Sequence, residues 1–148
     1  MLINSYTHSV DAKGRVFVPA KWRDDLQDTV IVTRGILGNS ESKCLFGMSM
    51  QAWNEFYERF RALAVSDVRA QNAMRVIFAN ACECEVDKQG RILISNALRE
   101  YAGLDKDVVL IGMGGRIELW DAEAWRKHNE ADGDVSDEAL QHLLELGI

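Results

Sequence analysis

Asp11-Ala-Lys-Gly-Arg-Val-Phe-Val18 is answered later in the chain by Asp87-Lys-Gln-Gly-Arg-Ile-Leu-Ile94. Asp, Gly and Arg recur at the same spacing, Arg91 stands 76 positions after Arg15, about half the chain, and Arg23 falls in line with Arg99. Two such units are too few for a solenoid, which needs three or more repeats. The spacing therefore predicts two pseudo-symmetric halves sharing one body. In each half, Asp-x-x-Gly reads as a turn, with Gly14 or Gly90 free to take a positive φ. The apolar run behind it reads as a short strand buried on both sides.

Outward from that stretch, a short helix is expected in each half. Pro19 suits its first turn in the first half, and Ser95 and Gly103 are its expected N-cap and stop in the second. Val30-Ile31-Val32 and Val108-Val109-Leu110-Ile111 read as the next strands. Cys44-Leu45-Phe46 and Ile117-Glu118-Leu119-Trp120 read as the last ones. Trp53, Phe56, Tyr57 and Phe60 recur at helical spacing behind a Ser49 cap, and Ala70, Met74, Ile77 and Phe78 form a second stripe. Asp121 is placed to cap a helix carrying Trp125. Asp132-Gly-Asp134 reads as a hinge, and Ser136 as the cap of a final helix with Leu140, Leu143 and Leu144 on one face. The expected division is a first half over 1–48, connecting helices over 49–80, a second half over 81–125 and a helical tail over 126–148.

Composition excludes several classes. The chain of 148 residues is 47% hydrophobic and 27% charged, which is ordinary for a globular domain. No apolar run approaches the roughly 20 residues of a spanning helix. The first ten residues lack a basic start and apolar core, so no signal peptide is expected and the cytoplasm is the expected compartment. Cys44, Cys82 and Cys84 make an odd set with no disulfide spacing. Cys82 and Cys84 would face one way on a strand, and with Cys44 and His8 could be imagined around a metal. A second ligand pair is missing, so buried free thiols and no metal are expected. His8, His128 and His142 have no evident catalytic partner, and no phosphate loop, nucleophile elbow or paired-carboxylate pattern stands out, so neither an enzyme nor a cofactor is expected. The net charge of −6 hides an asymmetry: residues 1–76 hold ten Lys/Arg against eight Asp/Glu, and 77–148 hold seven against fifteen. The first half is the better candidate to meet phosphate.

Taken together, Asp11 to Arg23, Thr33-Arg34-Gly35, Cys44-Leu-Phe-Gly47, Cys82 to Arg91 and Arg116-Ile-Glu-Leu-Trp120 resemble the MraZ family, in order and at the right spacing from about Tyr6 to Trp125. The resemblance implies an α+β fold of two pseudo-symmetric SpoVT-AbrB-like halves of the swapped-hairpin barrel type with flanking helices. It implies a ring-shaped homo-oligomer and a nucleoid-associated transcriptional regulator. It implies binding of double-stranded DNA at direct repeats upstream of its own division and cell-wall gene cluster. It places DNA contacts in the Asp-x-Lys-Gly-Arg segment, which here means Lys13, Arg15 and Arg91. Gln89 stands where the second copy would carry its lysine, which sets the halves apart.

The residues admit a plainer reading beside this one. Arg15 and Arg91 could brace their own turns by pairing with Asp11 and Asp87, and Lys13, Lys21, Arg23 and Arg34 could form a solvated face. Arginine also presents a planar fork matched to guanine edges and phosphate. Asp11 is expected to be structural, because a carboxylate repels phosphate. An antitoxin-like or adaptor module that holds a protein partner is the alternative, favoured by the acidic tail. The aromatic stripes read as core and interface packing, and the small core of each half predicts self-association.

Overall fold

A computed structural model describes residues 1–35, 43–132 and 137–148, the side chains of residues 131 and 132 excepted. Eight strands and six helices follow in order: β1 (Ser5–Ser9), β2 (Arg15–Phe17), α1 (Arg23–Leu26), β3 (Thr29–Arg34), β4 (Leu45–Ser49), α2 (Met50–Arg61), α3 (Val68–Ala79), β5 (Cys82–Glu85), β6 (Arg91–Leu93), α4 (Asn96–Ala102), β7 (Asp107–Gly112), β8 (Ile117–Asp121), α5 (Ala122–Asp132) and α6 (Asp137–Glu145). A 3-10 turn, Ala20–Trp22, leads into α1, with Pro19 at its N-cap.

Six strands form one antiparallel sheet in the order β1-β7-β8-β4-β3-β5, and β2 and β6 form a separate ribbon. The order is a palindrome of the two halves, since β1, β3 and β4 of the first half correspond to β5, β7 and β8 of the second. The halves meet at β4 and β8, where Leu45 lies opposite Leu119. The outer strands are exchanged: β1 pairs with β7 of the second half, and β5 with β3 of the first. Among the described residues the sheet is open, with β1 and β5 as edges, rather than a closed barrel.

The sheet has two covered faces. On one, Val30, Val32, Leu45, Val108, Leu110 and Leu119 join Val16, Val18, Trp22, Ile92, Ile94 and Leu98 in a core shared by both halves. The ribbon and the short helices α1 and α4 lie on this side. On the other, Phe46, Met48 and Trp120 pack with Trp53 and Phe56 of α2 and Trp125 of α5. Phe78 of α3 meets Trp53 and Phe60 edge-on, with ring centroids 5.3 and 5.6 Å apart. Edge-to-face pairs of this kind add to simple apolar burial.

The local signals account for most element ends. Ser49, Ser95 and Asp121 accept from the amides of Ala52, Leu98 and Ala124 as N-caps. Gly103 closes α4 at φ +66°. The Gly133–Asp134 part of the expected hinge and the Ser136 cap lie outside the described residues. One expectation is corrected. The apolar run behind each turn predicts burial on both sides, yet Phe17 is 41% exposed and Leu93 56%, while Val16 and Ile92 are each 1% exposed. The ribbon covers the core with one face only, and its other face meets solvent.

Candidate nucleic-acid interface

The ribbon is built from the two repeated turns. In the first, Asp11 Oδ1 accepts from the amides of Lys13 and Arg15 at 3.0 and 2.8 Å. The amide of Gly14 donates to the Asp11 carbonyl at 3.0 Å. In the second, Asp87 Oδ1 accepts from the amides of Gln89 and Arg91, both at 2.9 Å. The same carboxylates then hold the arginine heads. Arg15 Nε donates to Asp11 Oδ2 at 2.6 Å, and Arg91 Nε to Asp87 Oδ2 at 3.0 Å. Arg91 Nη1 also lies 3.8 Å from Asp11 Oδ2, which ties the two turns together. The amide of Arg15 above all, with that residue's guanidinium and the Lys13 amide, holds the Asp11 carboxyl down at about 2, against desolvation that pushes the other way. The Asp87 carboxyl is lowered by the equivalent Arg91 amide. Both carboxylates are thus charged at neutral pH, as the brace requires.

Each turn also depends on the other half. Gly14 and Gly90 take φ of +92° and +82°, where a side chain would be strained. A Cβ on Gly14 would come within 2.5 Å of the Arg99 guanidinium, and one on Gly90 within 2.1 Å of Arg23. Arg23 Nε donates to the Val18 carbonyl at 3.1 Å, and Arg99 Nε to Ile94 at 3.0 Å. The aligned pair Arg23 and Arg99 is therefore a cross-brace, in which each half's arginine backs the other half's turn. The backbone repeats the exchange, with Val18 N donating to Gly90 O at 2.8 Å and Ile94 N to Gly14 O at 3.0 Å.

The structure brings Arg15 and Arg91 onto one face of the ribbon. Lys13 is exposed in the first turn beside them. The bracing contacts predicted from the Asp-x-x-x-Arg spacing are present in both halves. They engage the Nε edge of Arg15, and among the described contacts its two terminal nitrogens have none. A brace of this kind fixes the head of an arginine without occupying its outer fork. Two further residues belong with the site. Lys88 is exposed in the second turn, one position before Gln89, so a cation flanks Arg91 although the register of the lysine differs. Its signal is present in Asp87-Lys-Gln-Gly-Arg91 but is missed when the halves are compared position by position. The other addition is the apolar pair Phe17 and Leu93 on the same open face. Arg34 does not join the group: its guanidinium stacks 4.3 Å above the Tyr101 ring of α4.

The cysteines stand apart from this site. Cys44 and Cys84 are buried free thiols and Cys82 is partly buried. Burial pushes the thiols of Cys44 and Cys84 up to about 12, so both are protonated at neutral pH. A protonated thiol is a poor nucleophile. No helix among the described residues is long and apolar enough to cross a membrane.

Comparison with known proteins matches the division of the chain into two halves. The family model described as "MraZ protein, putative antitoxin-like" matches twice, over residues 1–76 and 77–143, which divides the chain where the internal repeat does. "Transcriptional regulator MraZ" of Caldicellulosiruptor bescii is 43% identical over 148 residues, covering all of both chains. The proteins of that name from Caldicellulosiruptor saccharolyticus and Carboxydothermus hydrogenoformans are 46% and 44% identical, over 100% and 99% of each chain. A solved structure titled "The solution structure of PHS018 from pyrococcus horikoshii" covers 80% of this chain and 88% of its own at 17% identity, with a TM-score of 0.35, too slight a likeness to argue from. Matched in both of its halves, and aligned end to end with relatives of that one name, the chain belongs to the MraZ family.

Proposed function

We infer that this protein is a sequence-specific DNA-binding transcriptional regulator, acting on direct repeats upstream of its own division and cell-wall gene cluster. The observation that carries the reading is the braced arginine pair. Arg15 and Arg91 stand on the open face of a two-stranded ribbon, each fixed by its own turn aspartate, with Lys13 and Lys88 beside them. A two-stranded ribbon is narrow enough for the major groove, where the outer fork of arginine matches guanine O6 and N7. The flanking lysines supply phosphate neutralisation, which positions without specifying. The full-length relatives named as transcriptional regulators support the same role.

The regulator works in the cytoplasm on the nucleoid, as a ring-shaped homo-oligomer with no catalytic step and no cofactor. Self-association is supported by apolar side chains left outside the core around the α2–α3 connection, such as Leu63, Val65 and Val68. Its halves follow the swapped-hairpin pattern, with the strand exchange as support. The test is a mobility shift with the protein's own upstream DNA. Arg15→Ala should weaken specific binding by about 5- to 150-fold per engaged subunit, since a bidentate base contact is worth about 1–3 kcal/mol. Arg91→Ala should weaken it less, because Gln89 breaks the motif. Native-like binding by folded Arg15→Ala would reduce Arg15 to a turn brace.

A second reading, an antitoxin-like or adaptor module, draws on one observation. Helix α6 is acidic at its start and leaves Leu140, Leu143 and Leu144 uncovered. Stoichiometric co-purification of a protein partner, with no shift of upstream DNA, would favour it.

A further inference from the structure

The ribbon pairs only three residues per strand: Arg15 opposite Leu93, Val16 opposite Ile92, and Phe17 opposite Arg91. Side chains alternate across a strand, so the inward positions are Val16 and Ile92, both sealed in the core. The outward positions are Arg15, Phe17, Arg91 and Leu93. They form a two-fold checkerboard in which each arginine has an apolar side chain directly across the ribbon and another two residues along its own strand. Nothing among the described residues covers the apolar members, with Phe17 41% exposed and Leu93 56% exposed. The Phe17 ring is nonetheless held in place, 6.0 Å from the His8 ring on one side and 6.0 Å from the Arg91 guanidinium on the other.

Resting on the DNA-binding reading above, we propose that Phe17 and Leu93 are specificity residues, each seated on a thymine C5-methyl beside the guanines taken by Arg91 and Arg15. The major groove offers one apolar feature, the thymine methyl, and arginine is the common reader of guanine. A checkerboard of arginine and apolar side chains is the complement of a short mixed run of guanine and thymine. The dimensions agree. Positions i and i+2 on a strand stand about 6.6 Å apart, near two base-pair steps of about 3.4 Å each. Directly opposed residues stand about 5 Å apart, within reach of neighbouring base pairs. The two apolar members differ: a flat aromatic ring in the first half and a branched aliphatic chain in the second. The two halves of one subunit would then prefer slightly different neighbours of their guanines.

The experiment begins with selection of preferred duplexes from a random library by the native protein. The chosen duplex is then remade with deoxyuridine in place of thymine, one position at a time. Loss of one methyl contact should weaken native binding about four-fold, the factor that burying one methylene commands. In Phe17→Ser the penalty should vanish at the positions read by Phe17 and persist at those read by Leu93, with the reverse in Leu93→Ser. Oligomer mass should be unchanged in both variants. If a preferred duplex is bound but uracil costs nothing at any position, the inference fails while the DNA reading stands. It fails in the same way if both variants keep every uracil penalty, or if they alter oligomer mass and leave the penalties alone, which would make the pair a contact between copies. If selection returns no preferred sequence, the DNA reading fails and this inference with it.

Discussion

At the scale of single residues, the design rests on a carboxylate that serves the backbone first and the guanidinium second. Asp11 fixes the turn through two amides and only then the head of Arg15. A carboxyl lowered to about 2 in the folded protein, from an ordinary 3.8, contributes stability that is complete above about pH 4. That contribution is lost as the pH falls towards 2, when the folded carboxylate itself takes a proton. DNA affinity measured between pH 5 and 8 should therefore be flat as far as Asp11 is concerned, and acid loosening of the ribbon should begin only below about pH 4. Amide exchange at Lys13 and Arg15, followed down the pH scale, checks this; a transition near neutrality would show another group in control. The thiols make a second prediction. Because Cys84 is buried and protonated, Cys82→Ser combined with Cys84→Ala should leave DNA binding within a few-fold. Alanine replaces the buried thiol so that no hydroxyl is left unpaired in the core. Stoichiometric zinc in the native protein, lost in the variant together with binding, would overturn it.

At the scale of elements, each turn is set by its own aspartate and backed by an arginine of the other half. Gly14→Ala places a methyl at φ +92° and drives it against Arg99, whose Nε is already engaged with the Ile94 carbonyl. Gly103→Ala also sits at positive φ, but nothing lies within 4 Å of its added carbon. Both should lose stability to backbone strain, about 1–3 kcal/mol. Gly14→Ala should lose more, because its φ of +92° lies beyond the left-handed region that Gly103 occupies and because the methyl displaces the cross-brace. Urea midpoints of the two variants measure this, and equal losses would mean that neither the more strained φ of Gly14 nor the displacement of Arg99 carries a penalty. How much of this can be read from sequence follows from range. The turns, the caps at Ser49, Ser95 and Asp121 and the stop at Gly103 are set by residues within four positions, so local patterns expose them. The exchange of β1 and β5 is not local. In β1, Tyr6 and His8 alternate with exposed Ser5, Thr7 and Ser9, too weak an apolar signal to mark a strand, and its partner β7 lies about a hundred residues away. The open face of the ribbon is hidden because Val16-Phe17-Val18 and Ile92-Leu93-Ile94 are apolar throughout. An all-apolar run ordinarily means burial on both faces, and here one apolar side chain per strand is left for solvent or for a ligand. The Asp-x-x-x-Arg brace is legible as a possibility; that among the described contacts it engages only the Nε edge of Arg15 needs the geometry.

At the scale of the whole molecule, charge decides how DNA can be held. The chain carries −6 overall, and the basic groups on the open face of the ribbon and its turns are few: Lys13, Arg15, Lys88 and Arg91, with Arg23 and Arg99 engaged behind the turns. A single subunit offers phosphate only a handful of cations against a repulsive background, so isolated sites should bind weakly. On the proposed DNA-binding reading, affinity then comes from several subunits engaging successive repeats, where each further contact forms at a high effective concentration. Two consequences separate this from a tight monomeric binder. A duplex with one repeat should bind at least 100-fold more weakly than one with the full tandem set, within the range that linkage ordinarily adds. The salt dependence should grow in step with repeat number, because log K falls with log salt by about 0.9 for every phosphate neutralised. Each added repeat that recruits a subunit with two or three phosphate contacts should therefore steepen the slope by roughly two to three units. Titrations of duplexes carrying one, two and more repeats at two salt concentrations, with the mass of the protein checked in parallel, measure both quantities together. A slope that stays constant as repeats are added would mean that one subunit makes all the contacts. The −6 chain would then need a cationic surface outside the ribbon to bind at all.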